Sequence, residues 1–415
     1  MTKLRLALTT NKKIMNIPEE FDSIRPIVPE ELPEVYDRLL ADPQFRQVAG
    51  YMFPEVTFED LSKRILQCKT NLEFQKAICY PVLQKLIRER SWGCSVDATS
   101  INIKHRYTFV SNHRDIVLDS AFLDKLLLDV GFETTCEIAI GDNLLTIPWV
   151  KDLVRINKSF TVERTLHSIE MYRASKRMSE YMHFAIKEKN ENVWIAQREG
   201  RAKDSNDLTQ PAILKMMVMG GEGSLIDRLA SLHIVPLAIS YEFDPCDYLK
   251  AREFQFKRDV PFWKKTAQDD IESMMVGIKG FKGHIKYHCA PCINEWFGSL
   301  KHDMPKSQLF DTVAAYIDQQ IHSNYRLFAN NYVAHDLLQG NKDYSSMYTP
   351  QQRSSFEQYI MAQIDKIDME NKDTDFLRER MLTMYANPVR NHKAATEGTG
   401  SRFKALKSHF GFGKS

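Results

Sequence analysis

The sequence predicts an α/β fold: a mostly parallel central sheet covered by helices, with N-terminal helices before it and a C-terminal helical extension after it. Three observations lead there. From about residue 94 to residue 300, short runs of strand formers alternate with longer stretches of helical period, the pattern of parallel strands joined by crossover helices. Ahead of that region, apolar residues recur at three- and four-residue spacing with no strand signal. Behind it, residues 304–385 are charged and helical in pattern. The chain divides into 1–93 (N-terminal helical region), 94–300 (α/β domain), 301–388 (C-terminal helical extension) and 389–415 (a basic and aromatic tail).

Taken in order, 29–40 reads as a short helix opened by Pro29 and the acidic pair Glu30 and Glu31. Two more helices follow at 58–68, with Leu61 and Ile65 on one face, and at 72–90, with Phe74, Ile78, Leu83 and Leu86. Trp92 and Gly93 close this front end. Strands are expected at 107–111, 137–140, 160–163, 193–198, 234–242 and 284–289, with helices at 116–130, 165–187 and 210–219 between them. The extension carries helices at 309–322, 353–368 and 376–385. The tail interleaves Arg390, Lys393, Arg402, Lys404, Lys407 and Lys414 with Phe403, Leu406, Phe410 and Phe412. Such a mixture lies on an anionic membrane or stays a solvated tail.

Composition narrows the function. At 415 residues and 43% hydrophobic content the chain can bury a large core. A net charge of +2 gives no support to nucleic-acid binding. Seven scattered cysteines suit a reducing compartment better than a disulfide framework. No signal-type apolar segment opens the sequence, and no apolar run nears the roughly 18 residues a membrane span needs. A cytoplasmic protein is expected, peripheral on the inner face of the cell membrane. The Cys289-Ala-Pro-Cys292 pair lacks the second pair a structural zinc site wants, so no metal is expected.

The most informative stretch is 107–131. Strand formers Tyr107, Thr108, Phe109 and Val110 break at Ser111-Asn112-His113, and a helical pattern runs on to Gly131. The junction holds a histidine with carboxylates at Asp115 and Asp119. A histidine oriented by a carboxylate acts as general base toward a hydroxyl; the plainer reading is a histidine at a helix start with two aspartates stabilising the helix N-terminus.

Three further segments follow: Lys158-Ser-Phe-Thr-Val-Glu-Arg164, Ala196-Gln-Arg-Glu199-Gly200-Arg201-Ala202-Lys203, and Ile234-Val-Pro236-Leu-Ala-Ile-Ser-Tyr-Glu242. Their order over residues 95–295 resembles the glycerophosphate acyltransferase superfamily, which includes bacterial lysophosphatidate acyltransferases, and more loosely its bacterial soluble-type branch. That resemblance implies that His113 takes the proton of an acceptor hydroxyl, which attacks an acyl thioester, while an aspartate orients the imidazole. It implies an acceptor-binding floor of Arg164, Glu199, Gly200 and Arg201, with Lys203 supplying further basic charge. Pro236 is implied at a strand end, shaping the acyl site. The donor implied is an acyl carrier protein or coenzyme A thioester, with no other cofactor. The acceptor is a lysolipid reached at the cytoplasmic membrane surface.

Two departures stand out. The family separates its histidine and aspartate by four residues, whereas five lie between His113 and Asp119. In an unbroken helix that step puts the two about 240° apart, so either a turn absorbs the extra residue or Asp115 is the partner. The family's basic residue three positions after the motif glutamate is here Ala202, flanked by Arg201 and Lys203. The acceptor is therefore either 1-acylglycerol-3-phosphate or a lyso-aminolipid with a free carboxylate. Two rival functions share the fold: a catalytically inactive lipid-binding or scaffold protein, and an acyl thioesterase.

Overall fold

The structure, a computed structural model, describes residues 16–164, 166, 168–300 and 304–399. At the front lie α1 (Leu32–Ala41), α2 (Pro43–Met52), α3 (Phe58–Gln67) and α4 (Asn71–Phe74), the last passing through a π turn, Gln75–Cys79, into α5 (Tyr80–Arg90). The α/β region runs β1 (Gly93–Asp97), β2 (Thr108–Ser111), α6 (Leu118–Asp129), β3 (Cys136–Gly141), α7 (Pro148–Ile156), β4 (Ser159–Val162), α8 (Ser168–Lys187), β5 (Asn192–Ala196), α9 (Pro211–Met217), α10 (Leu225–Ala230) and β6 (Ile234–Tyr241). It continues with α11 (Asp247–Asp259), α12 (Ala267–Lys279), β7 (His284–Cys289) and α13 (Asn294–Phe297). The extension holds α14 (Lys306–Ser323), α15 (Ala329–Gln339), α16 (Pro350–Asp365) and α17 (Thr374–Glu397).

The seven strands form one sheet in the order β1-β7-β6-β2-β5-β3-β4. All neighbours run parallel except β6 and β7. The expected α/β class with a mostly parallel sheet is what forms. Its central strands are apolar runs buried on both faces; every residue of β2 and β6 is buried. One face packs α8, α9, α10 and α14 through Val110, Ile195, Met182, Leu214 and Ile317. The other packs α5 and α6 through Phe109, Trp194, Leu123 and Leu127. The front helices close their own cluster around Tyr36, Leu39, Ile65 and Phe74, with Ile156 of α7. A fourth cluster joins α11 to α15, α16 and α17.

All six expected strands form, and β1 is a seventh, an edge strand of intermediate burial too short to announce itself. Helices α2, α7, α10, α11, α12, α13 and α15 are likewise additions to the expected set. Asp42 and Thr57 begin α2 and α3 by accepting hydrogen bonds from backbone N–H groups in their first turns. The tail drawn from 389 onward starts inside α17, which runs unbroken from Thr374 to Glu397 with Pro388 in its interior. The rest of that basic and aromatic segment, from 400 on, lies outside the described residues.

Candidate active site

The site grows from the C-terminal end of β2. The β2–β6 register ends at Ser111 opposite Leu237. Beyond it the Asn112 side chain continues the pairing: Nδ2 donates to the Ile239 carbonyl at 2.9 Å, and Oδ1 accepts from the Ile239 N–H at 2.8 Å. Each such bond is worth about 1 kcal/mol net. Together they hold the backbone while it turns out of the sheet, and His113 leaves on the face of α6.

The His113 ring lies edge-on to Trp194, with centroids 5.5 Å apart, and its Nδ1 sits 2.8 Å from Asp119 Oδ2. Its side chain is partly open to solvent while that of Asp119 is fully buried. Asp119 Oδ2 also accepts from the N–H groups of Arg114, at 2.6 Å, and Asp115, at 3.0 Å. Asp115 does a different job. Its Oδ1 accepts from Val117 and Leu118 N–H at 2.9 and 2.8 Å, capping the start of α6. Because α6 begins only at Leu118, His113 stands outside the helix and the 112–117 turn absorbs the extra residue of spacing. Of the two aspartates offered as partner, Asp119 meets the imidazole.

Behind the histidine lies a buried layer of charge. Arg114 Nη1 pairs with Asp207 at 3.0 Å, and Lys250 is paired with Asp244 and donates to the Arg114 carbonyl at 3.2 Å. Burial, then the neighbouring Asp119 carboxylate, raise Asp115 above the usual carboxylate range, with Arg201 pulling the other way. Gly277 of α12 packs directly on Asp115; a Cβ there would lie 2.1 Å from Asp115 Oδ2, so only glycine lets α12 cross this close.

The expected floor residues separate into two groups. Arg164 and Glu199 approach one another, Nη1 to Oε1 at 3.8 Å, and both reach solvent, Glu199 at 72% side-chain exposure. Gly200 turns the chain with φ +66°, a left-handed conformation suited to glycine. Arg201 then points inward: it is buried, and its Nη1 has no hydrogen-bond partner among the described residues. Lys203 is tied to Glu253 at 2.8 Å, and burial, then the Arg201 charge, bring its pKa down to about 8. Ala202 is buried as well. Pro236 differs from expectation. It is the third residue of the eight in β6, opposite Val110 and fully inside the sheet. The ladder with β7 begins one residue later, at Leu237, so the missing N–H of Pro236 costs that ladder no bond.

Beside this junction is an apolar cavity of about 260 Å³ between the front helices, α6 and α7. Val117 and Leu118, just past the histidine turn, line one end, and Met52, Phe74, Leu86 and Ile278 line its walls. Asn112, Trp194, Asp207, Asp244 and Lys250 complete the surroundings of the site and carry no local signal in the sequence. No group of three or more histidine, cysteine or acidic side chains able to hold a metal occurs among the described residues.

A strand-to-helix junction with a carboxylate-held histidine, on a parallel sheet beside an apolar cavity, is the arrangement of an α/β acyl-transfer domain. Residues 94–240, about a third of the chain, match the family model described as Acyltransferase. Among solved structures the chain is similar to the crystal structure of the 1-acyl-sn-glycerophosphate (LPA) acyltransferase, PlsC, from Thermotoga maritima. That match has 11% identity and a TM-score of 0.35, and covers 70% of this chain and 93% of that one. No curated protein matches the chain.

Proposed function

We propose that this acyltransferase moves a fatty acyl group from an acyl carrier protein or coenzyme A thioester to the hydroxyl of a lysolipid. The observation that carries the reading is the pairing of a partly exposed His113 with a buried Asp119 beside the apolar cavity. Asp119 accepts a hydrogen bond from Nδ1–H and so leaves the Nε2 lone pair free as a base. The acceptor hydroxyl gives its proton to Nε2 as its oxygen bonds to the thioester carbonyl carbon. When the C–S bond breaks, the imidazolium returns that proton to the departing thiolate. The thioester is already activated, so a positioned base and a binding site suffice.

The cavity suits an acyl chain, its lining being almost wholly apolar. Arg164, the solvent-reaching arginine of the motif set, is the contact for the acceptor's anion; its planar fork pairs with phosphate or carboxylate. With Arg201 and Lys203 turned inward and Ala202 buried, the anion site is spare. Such a site fits the carboxylate of a lyso-aminolipid as readily as the phosphate of 1-acylglycerol-3-phosphate. The enzyme works from the inner face of the cell membrane, where lysolipids reside; no described helix is long and apolar enough to cross a membrane.

The test is acyl transfer from labelled acyl carrier protein and from acyl-coenzyme A to a panel of lysolipids, wild type against His113→Ala. A fall of about 10²–10⁴-fold in the variant, with folding intact, is expected. Equal product from both proteins rules out the base assignment. Free fatty acid released without any lysolipid identifies a thioesterase, and a well-folded wild type inert toward every acceptor returns the chain to a lipid-binding role.

A further inference from the structure

We propose that the loop joining α11 to α12, residues 260–266, and the outer face of α12 dock the protein on a phospholipid bilayer beside the active site. This deepens the proposed function and rests on it, because it names the surface through which a lysolipid would be reached.

Phe262, at the loop tip, is 98% exposed; the next most exposed large hydrophobic among the described residues, Ile169, reaches 64%. Phe262 also has φ +60°, a left-handed conformation that a bulky side chain adopts only under constraint. The loop holds a ring out into water at a conformational cost, and nothing in the core gains by it. Trp263 stacks on Phe256 of α11, centroids 5.5 Å apart, which gives the tip a firm base. Val260 is half-exposed on the near side. Lys264 and Lys265 follow; Lys265 pairs with Asp270, while Lys264 has no carboxylate partner among the described residues.

The apolar surface continues along α12 through Ile271 and Met275, one turn apart and both exposed. It then crosses to α2, where Lys279 lies over the exposed Tyr51 ring at 5.1 Å. Exposed Val48 beside it also lines the apolar cavity. A projecting aromatic ring with lysines behind it and an aliphatic strip alongside suits the headgroup–acyl boundary of a bilayer.

Position supports the same occupant. Arg252 with Glu272 at 2.5 Å and Cys246 Sγ donating to the Ser273 carbonyl at 3.3 Å tie α12 to α11, and the pair is fixed to the site by Gly277 against Asp115 and by Lys250 donating to the Arg114 carbonyl. A bilayer on this face lies next to both the histidine turn and the cavity, so a lipid passes between them without crossing open water.

The experiment is co-sedimentation of the full chain with vesicles of phosphatidylcholine and phosphatidylglycerol, with sedimentation velocity to read oligomeric state. Phe262→Ser is expected to weaken partitioning roughly tenfold. Lys264→Glu should weaken it less, and Met347→Ser, which removes an exposed methionine of the C-terminal extension, should leave it unchanged. A wild type that stays in solution overturns the proposal. So does a Phe262→Ser variant that binds as wild type does, which hands the contact to another face or to residues 400–415, or one that instead dissolves a dimer. His113→Ala should bind vesicles normally, so binding and chemistry fail separately: vesicle binding through Phe262 without acyl transfer sinks only the catalytic reading.

Discussion

One oxygen sets the chemistry at the smallest scale. Asp119 Oδ2 receives His113 Nδ1 together with the N–H groups of Arg114 and Asp115, so the same carboxylate orients the imidazole and holds the turn that presents it. Asp119→Asn keeps an acceptor for the backbone and loses the charge that favours the working tautomer. The variant should fold normally and lose about 10²–10⁴-fold in kcat, with the lysolipid KM little changed. A loss confined to KM would show that Asp119 only shapes the pocket. The histidine and both aspartates were legible from residue type and spacing, because the junction is local. Which aspartate serves was not, since that depends on where α6 starts. The partners of Asn112 and Arg114, at Ile239 and Asp207, are invisible locally: about a hundred residues separate each pair in the chain.

Among the elements, α6 is the one buried on nearly every side, and it carries Asp124 and Lys125 into that interior. Asp124 accepts from the Cys136 N–H at 2.8 Å and from Gln75 Nε2 at 3.3 Å, joining helix, sheet and front helices. Burial lifts its pKa from 3.8 to about 7. Between roughly those two values the folded chain keeps a proton that the unfolded chain has lost. The stability this confers is whole at low pH and drains away as pH rises toward 7. At ~1.4 kcal/mol per pH unit, wild type should lose about 2–3 kcal/mol more than Asp124→Asn between pH 5 and pH 8. Urea unfolding at the two pH values reads this directly, and parallel losses would place the titrating group elsewhere. The strands of this region were readable because central parallel strands are apolar throughout. Helices α11 and α12 were not, because charged residues populate most of their faces and only packing on the site orders them.

For the molecule as a whole, the extension is locked to the catalytic core by buried polar groups. Asp247, at the start of α11, accepts from Tyr359 and Tyr385 hydroxyls at 2.6 and 2.7 Å and from Gln363 Nε2 at 2.6 Å. Tyr385 in turn accepts from the Asp244 N–H, and Asn387 Nδ2 donates to the Asp204 carbonyl. Asp247→Ala orphans three buried donors at once and should cost about 3–5 kcal/mol, seen as a lower Tm or an early separate transition for the extension. An unchanged Tm would mean the two parts are held by their apolar contacts alone. The sequence sufficed for the α/β class and the six strands, and it singled out His113 with its two candidate aspartates, because apolar periodicity and turn chemistry act between near neighbours. Pairing Asp119 with His113, sinking Arg201 and Pro236 into the interior, and projecting Phe262 beside the site depended on folding. Each is set by contacts between residues remote in the chain, and composition alone carries no record of which of them meet.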